Sequence, residues 1–373
     1  MSGPVAPSGG PARWAREAEK AVTVRHLRKL WAVPGTALGV VGWPPTPGER
    51  LFSHWHYWWQ AHLLDCLIDA ELRAPDVHRR RQITRLTRGI RLRNGWRWHN
   101  AYYDDMAWLG LALERAERLF GLGRPAAVTT LMDQLLGAWT TELGGGIPWR
   151  RGDEFKNAPA NGSAAIVLAR TGFLDRAAAT ADWIDARLRD PSTGLIRDGA
   201  RPDGQGGVRM ETPIYTYNQG VVLGAETELA VRSVSADVHR ARVRRLVDAV
   251  FDRLSVGGVL TGHAGGDSGL FTGILVRYLA LVAVMLPGSD PADTRARERA
   301  AVLVRASADG AWANAAAPGG RVRAGRDVCF GPDWSRPARP ADRHGVERYL
   351  SVQLSGWMLM EAAAALERGS GPG

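Results

Sequence analysis

The chain has 373 residues, 45% of them hydrophobic, and a net charge of +10; this is enough apolar material for a globular core in one large domain or two smaller ones. The charge points first to a polyanion, but lysine occurs only at Lys20, Lys29 and Lys156 and the arginines are spread along the chain. The densest run, Arg79 to Arg93, reads as the solvated face of one helix with no recognised nucleic-acid motif or interleaved aromatic platform, so nucleic acid is not expected as the partner.

Two cysteines far apart, Cys66 and Cys329, form no disulfide framework and read as free thiols of a reducing compartment. The N-terminus shows no apolar core of a secretory signal, and no apolar run reaches the roughly 18 residues of a membrane span. A cytoplasmic protein without a membrane span is expected, or a secreted one if a leader has been removed. Fifteen tryptophans against seven phenylalanines favour carbohydrate, because flat indole faces stack on sugar rings as well as filling cores.

In chain order, residues 1–12 read as a tail, 13–366 as a single domain and 367–373 as a second tail. The domain divides into twelve helical segments of two alternating kinds. One kind is amphipathic and charged, at about 13–31, 77–93, 125–141, 173–189, 238–254 and 292–306. Val243, Leu246, Val247, Val250 and Leu254 form a typical apolar stripe with arginines opposite. The other kind is apolar on every face, at about 56–72, 103–119, 159–171, 215–230, 267–286 and 346–365. Such helices must be surrounded by protein, and six inner helices alternating with six outer ones describe an (α/α)6 toroid.

Alternating antiparallel connections make all six inner helices run the same way, so their N-terminal ends meet at one mouth. The segments arriving there include WHYWWQ, NAYYDD, KNAPANGS, IYTYNQG and HAGGDSGLF, rich in aromatics, amides and carboxylates. Two long connections, 190–213 and about 307–344, are full of turn residues and are expected to edge this mouth.

Asp104 and Asp105 carry the sharpest signal. They open the apolar helix YYDDMAWLGLALERA, where capping and the helix dipole explain an acid as readily as chemistry does. Consecutive helical side chains diverge by about 100°, which leaves the two carboxyls about 5 to 6 Å apart, close to the spacing of a retaining glycosidase pair. Two such groups resist double ionisation, and neighbouring Tyr102, Tyr103 and Trp108 add desolvation, so one proton can persist near neutral pH. Spacing does not say which aspartate keeps it.

The blocks YWWQAHLLDCLIDA, YYDDMAWLGLALERA, GGGIPWR with KNAPANGSAAIVLAR, TYNQGVVLGAETEL, GLFTGILVRYL and SVQLSGW, in this order, resemble the endo-α-1,6-mannanases of glycoside hydrolase family 76. The resemblance runs through most of residues 50–365. It implies an (α/α)6 fold, hydrolysis of α-1,6-mannosidic bonds with retention, Asp104 as nucleophile and Asp105 as acid/base. The partner it implies is a mannose-containing oligosaccharide or polysaccharide, and no cofactor or metal is expected. Family members are largely secreted or surface-tethered, and the missing leader shifts the expectation for this chain from external polymer toward short oligosaccharides or an intracellular glycan.

Trp59 is the favoured stacking platform of the Trp58–Trp59 pair and Gln60 a hydroxyl ligand, with core packing as the alternative. Tyr217, Asn218 and Gln219 are candidate donors to mannose hydroxyls, and Gly220 a point of close helix packing. Tyr103, Trp149, Asn161 and Phe271 complete the candidate substrate-binding set. Arg277 lies deep in an apolar helix and calls for a carboxylate partner. Two other readings stay open: a histidine-dependent sugar 2-epimerase on the same toroid, for which His54, His56, His99, His263 and His344 lie near the mouth, and a non-catalytic glycan binder.

Overall fold

The computed structural model describes residues 10–316, 328–339 and 345–369. The two expected tails therefore lie largely outside the described residues, as do His344 and parts of the 307–344 connection. Thirteen α-helices follow in chain order: α1 Pro11–His26, α2 Pro47–Arg50, α3 Tyr57–Arg73, α4 Val77–Arg93, α5 Tyr103–Phe120, α6 Pro125–Gly137, α7 Ala158–Arg170, α8 Leu174–Leu188, α9 Thr216–Arg232, α10 Ala236–Arg253, α11 Phe271–Met285, α12 Pro291–Ala313 and α13 Leu350–Arg368. Apart from the single turn α2, they alternate between an outer and an inner layer.

The inner helices α3, α5, α7, α9, α11 and α13 each pack on the next, and α13 returns to α3. Each of α4, α6, α8, α10 and α12 covers the inner helix before it in sequence, and α1 closes the outer layer by packing on α13. The result is the (α/α)6 toroid. Small residues bring the inner helices close: a Cβ at Gly220 of α9 would lie 2.9 Å from the Leu275 Cα of α11, and one at Gly273 of α11 2.6 Å from the Ser355 Cα of α13. The stretch Gly266–Met285 is apolar and long enough to cross a membrane, yet 78% of its apolar 18-residue window is buried inside the toroid.

Helix boundaries moved by a few residues, as expected of ends set by caps and fraying. The larger differences are in the connections. The outer helix α12 continues to Ala313, where Ser307 accepts a hydrogen bond from the Leu260 backbone at 3.0 Å; its last turns thus belong to the core and not to the connection. Within 190–213, Gly199–Pro202 and Val208–Glu211 form an antiparallel hairpin, with Ala200 opposite Met210 and also paired with Lys156 ahead of α7. Turn residues at 203–207 marked this stretch as a loop, whereas they form the bend of the hairpin, with Asp203 accepting from Gln205 and Gly207 at 2.8 Å each.

Arg277 has the partners its depth requires. Asp65 and Asp69, one turn apart on α3, contact both Arg115 of α5 and Arg277 of α11, closing a two-plus-two ion ring inside the toroid.

Candidate active site

The N-terminal ends of the inner helices enclose a cleft of about 550 Å³. Four carboxylates line it: Asp104 and Asp105 from the first turn of α5, Asp198 from the segment entering the hairpin, and Asp267 from the turn before α11. Trp58, Trp108, Trp149, Tyr102, Tyr217 and Phe271 form most of its aromatic wall. Neither arginine nor lysine lines it among the described residues.

Tyr102 enters α5 in an extended conformation, so the next two acids project from the helix start into the cleft. Asp104 Oδ1 accepts the Asp105 backbone N–H at 2.9 Å, and its Oδ2 accepts the Trp149 indole N–H at 3.1 Å. Burial raises the Asp104 pKa to about 6 against these hydrogen bonds, which favour its ionised form. Asp105 Oδ2 accepts from Asn100 Nδ2 at 2.5 Å. Its pKa stands well above the usual carboxylate range, first through burial and then through the adjacent charge of Asp104. Asp104 holds more donors that stabilise its ionised form than Asp105 does, which favours a shared proton on Asp105.

Asp198 is also raised to about 6 by burial, with the Asn218 amide at 3.3 Å working the other way. Asp267 accepts the Trp59 indole N–H at 2.9 Å, and the His56 ring, stacked on Trp59 at 4.1 Å, faces it at 3.5 Å. Tyr217 and Phe271 stack face to face at 3.8 Å, making one flat apolar wall from two helices.

Of the substrate-binding candidates, Trp149, Tyr217 and Phe271 line the cleft. The others do not reach it. Trp59 is 1% exposed, closed off by His56, and its neighbour Trp58 faces the cavity instead. Tyr103 lies beside the Arg151 guanidinium and is absent from the lining. Asn218 is buried behind Asp198 and orients it.

Gln60, Asn161 and Gln219, expected at the sugar, stand behind the cleft and share one role. Each is the fourth residue of its inner helix, wholly buried, with its amide clasped to the backbone of an incoming extended segment. Gln60 Oε1 accepts from Gly39 N at 2.7 Å and Nε2 donates to Gly39 O at 3.0 Å. Asn161 makes the same pair with Ile147 at 2.7 and 2.8 Å, and Gln219 with Ile196 at 2.8 and 2.9 Å. Gln353 of α13 repeats it on Phe330 at 3.2 and 2.9 Å. A primary amide matches the donor and acceptor of a peptide unit, so these side chains stand in for a neighbouring strand. Ile147 precedes Trp149 by two residues and Ile196 precedes Asp198 by two, so two of the clasps fix cleft groups without touching the cavity.

Sequence reasoning missed Asp198 and Asp267, along with Phe155 and Asn157. Asp267 stands in the mouth segment HAGGDSGLF, which was a usable signal; Asp198 lies in a turn-rich run where an acid is unremarkable. Asn157 caps α7 by accepting from Ala160 N at 3.2 Å.

Residues 15–362 match the model of Glycosyl hydrolase family 76. Among solved structures, an α-1,6-mannanase from Salegentibacter sp. HEL1_6 is similar, with a TM-score of 0.81 and 29% identity, over 95% of this chain and 99% of that one. An inactive variant of that enzyme, with two consecutive aspartates changed to asparagine and α-1,6-mannotriose bound, matches at 28% identity and a TM-score of 0.81, over 95% and 99% of the two chains. A Listeria innocua protein of 24% identity shares the fold, with a TM-score of 0.81 over 97% of this chain and 99% of that one. No curated protein matches in sequence.

Proposed function

The chain belongs to glycosyl hydrolase family 76 and is a glycoside hydrolase, and on that premise we propose that it cleaves α-1,6-mannosidic bonds with retention, using Asp104 as nucleophile and Asp105 as acid/base. What supports this reading is the unequal pair itself: two adjacent carboxyls with no cation beside them among the described residues, both raised by burial, Asp104 holding two N–H donors and Asp105 raised also by the charge of Asp104.

The Asp104 carboxylate attacks the anomeric carbon as the bond to the departing oxygen breaks, and Asp105 delivers its proton to that oxygen. The product of this step is a mannosyl ester of Asp104. Asp105, now a carboxylate, takes a proton from water, whose oxygen attacks the same carbon and releases Asp104. Two inversions leave the α-anomer. The Trp149 indole N–H keeps Asp104 ionised and aimed between attacks. Asp198 and Asp267 accept hydrogen bonds from sugar hydroxyls, and the Tyr217–Phe271 wall and Trp58 cover apolar sugar faces.

The substrate is uncharged, because a cleft with four carboxylates and no lining cation among the described residues repels an acidic sugar. The inactive two-asparagine relative with bound α-1,6-mannotriose supports both the pair and the linkage. A histidine-dependent epimerase has less support: among the described residues only His56 lines the cleft, while His263 accepts from the Thr216 backbone at 3.2 Å.

An NMR time course with α-1,6-mannotetraose, following the anomer of the first product for the wild type and Asp104→Asn, tests the proposal. Early α-product from the wild type alone is expected. Early β-product, or undiminished turnover by the variant, overturns the mechanism.

A further inference from the structure

The outer helix α4 has the sequence VHRRRQITRLTRGIRLR, with seven arginines and no acid. Arg79 is buried against Glu19 and Glu71, and Arg80 is also paired with Glu71. Arg81, Arg85 and Arg88 are exposed on one stripe and form no ion pair among the described residues. With Gly35 and Val77 they line an open groove of about 370 Å³ on the side of the toroid. A solvated helix face ordinarily mixes both charge signs; this one carries a single sign.

The apolar surroundings of that stripe are equally uncommon. Trp96, just beyond the C-terminus of α4, is 61% exposed, and Leu51 and Trp31 are 64% and 48% exposed. They lie at the C-terminal end of α4, beside its last two arginines. The Arg93 guanidinium lies 5.9 Å from the Trp31 ring and donates to Phe52 O at 2.8 Å, and Trp31 Nε1 donates to Leu51 O at 2.8 Å. Arg91 lies 5.9 Å from the Trp96 ring. Trp31 and Trp96 have φ of 48° and 63°, a left-handed backbone that bulky residues rarely adopt and that persists only where the surroundings over-determine it. The fold therefore holds two indoles outward under strain, although burial is the ordinary destination of tryptophan.

We propose that this face, the arginine stripe of α4 with Trp31, Leu51 and Trp96 at its end, docks on an anionic lipid bilayer. Tryptophan settles at the headgroup level with its ring toward the acyl chains, a projecting leucine buries its tip, and arginines bind lipid phosphates while their stems lie along the interface. A sugar-stacking surface explains the indoles but not the exposed leucine or the unpaired cations, and a soluble polyanion explains the cations but neither apolar group. The C-terminal end of α4 adjoins the cleft rim, since Arg93 also stands 5.2 Å from Trp55, next to the cleft residue His56. Docking on this side leaves the cleft mouth open beside the lipid surface. The proposal is independent of the hydrolytic reading.

Co-sedimentation of the full chain with vesicles of phosphatidylcholine, or of equal parts phosphatidylcholine and phosphatidylglycerol, tests it. Binding is expected only to the mixed vesicles and weakens with added salt. At about fivefold per arginine at an anionic surface, R81Q/R85Q/R88Q should lower partitioning on the order of 100-fold. L51S/W96S should lower it about tenfold or more, as buried apolar area is lost. Both variants should hydrolyse soluble α-1,6-mannotetraose as the wild type does, or, if that reading fails, keep the wild-type circular dichroism and melting. No binding to mixed vesicles overturns the proposal, as does binding unchanged in R81Q/R85Q/R88Q. Binding unaffected in L51S/W96S and competed fully by soluble polyphosphate overturns it in favour of a soluble polyanion.

Discussion

Two pairs of aspartates, one half-buried at the mouth of the ring and one buried in its interior, have opposite electrostatic fates. Asp65 and Asp69 project from α3 at a spacing of one helical turn, and each meets two guanidinium groups. Burial works to raise the Asp65 pKa, but Arg115 and Arg277 outweigh it and the value falls. Asp104 and Asp105 meet no cation among the described residues, so burial prevails and both values rise. Between the pairs lies His62, packed under Trp58 and Trp108, its pKa pushed down to about 3 chiefly by burial. A neutral imidazole there separates the two regions without adding charge to either. The comparison teaches that burial of an acid does not mark a reactive one; what matters is whether the fold supplies its countercharge.

Breaking the pair at the mouth should produce the largest effect. Asp105→Asn removes the proton donor, and kcat/KM for α-1,6-mannotriose should fall by about 10³-fold. With a dinitrophenyl α-mannoside, whose leaving group needs no proton, the first step should slow by less than about tenfold. Equal losses on both substrates, measured side by side, would remove Asp105 from the acid role.

The interior pair should respond in stability. Arg277→Met leaves Asp65 and Asp69 with one arginine, and urea unfolding should show a loss of about 3–5 kcal/mol, as for other broken buried ion pairs. A loss below about 1 kcal/mol would mean that solvent reaches the ion ring.

An intermediate effect is expected at the clasps. Gln219→Leu leaves the Ile196 N–H and the Ile196 and Tyr215 carbonyls without their side-chain partner, a cost of about 2–3 kcal/mol. Because Ile196 leads into Asp198, KM for mannotetraose should rise as well, while a cleavage rate at saturation close to the wild type is retained. Unfolding and steady-state kinetics of the same variant separate the two consequences.

The smallest effect runs opposite in sign. The folded Asp104 pKa of about 6 lies above its ordinary 3.8, so the protonated form favours folding. That stability is fully present below pH 3.8 and is lost as pH rises through about 6. Asp104→Asn is exempt from this loss and should exceed the wild type by about 1–2 kcal/mol at pH 7, after allowance for access from the cleft, with no gain at pH 4. Melting curves at the two pH values check the sign.

Much of the architecture was legible before any coordinates. The strict alternation of charged and all-apolar helices implied the toroid because an inner helix such as α11 can be buried on every face in few other ways. The same alternation implied a common mouth, and the first-turn aspartates of α5 stood out there as acids on an otherwise apolar element. The amides were misread for a physical reason: Gln60, Asn161 and Gln219 occupy mouth-end positions where a sugar hydroxyl and a backbone peptide offer the same donor and acceptor. Trp58 and Trp59 differ by 100° of helix rotation, and a residue at φ +43°, His56, sets where that rotation starts. The α4 arginines read as a solvated face, because their lack of partners is visible only in three dimensions.

What the sequence determined by itself was therefore periodic or local: helix order, layer assignment, the shared mouth and the aspartate pair. Tertiary structure alone decided which polar groups meet. It brought Asp198 and Asp267 from connections to the cleft and turned the amides onto backbone. It matched Asp65 and Asp69 with arginines from two other helices and left Asp104 and Asp105 unmatched among the described residues. Periodicity is carried by neighbours along one chain segment, whereas the energy of a buried charge depends on partners tens or hundreds of residues away, which no local pattern encodes.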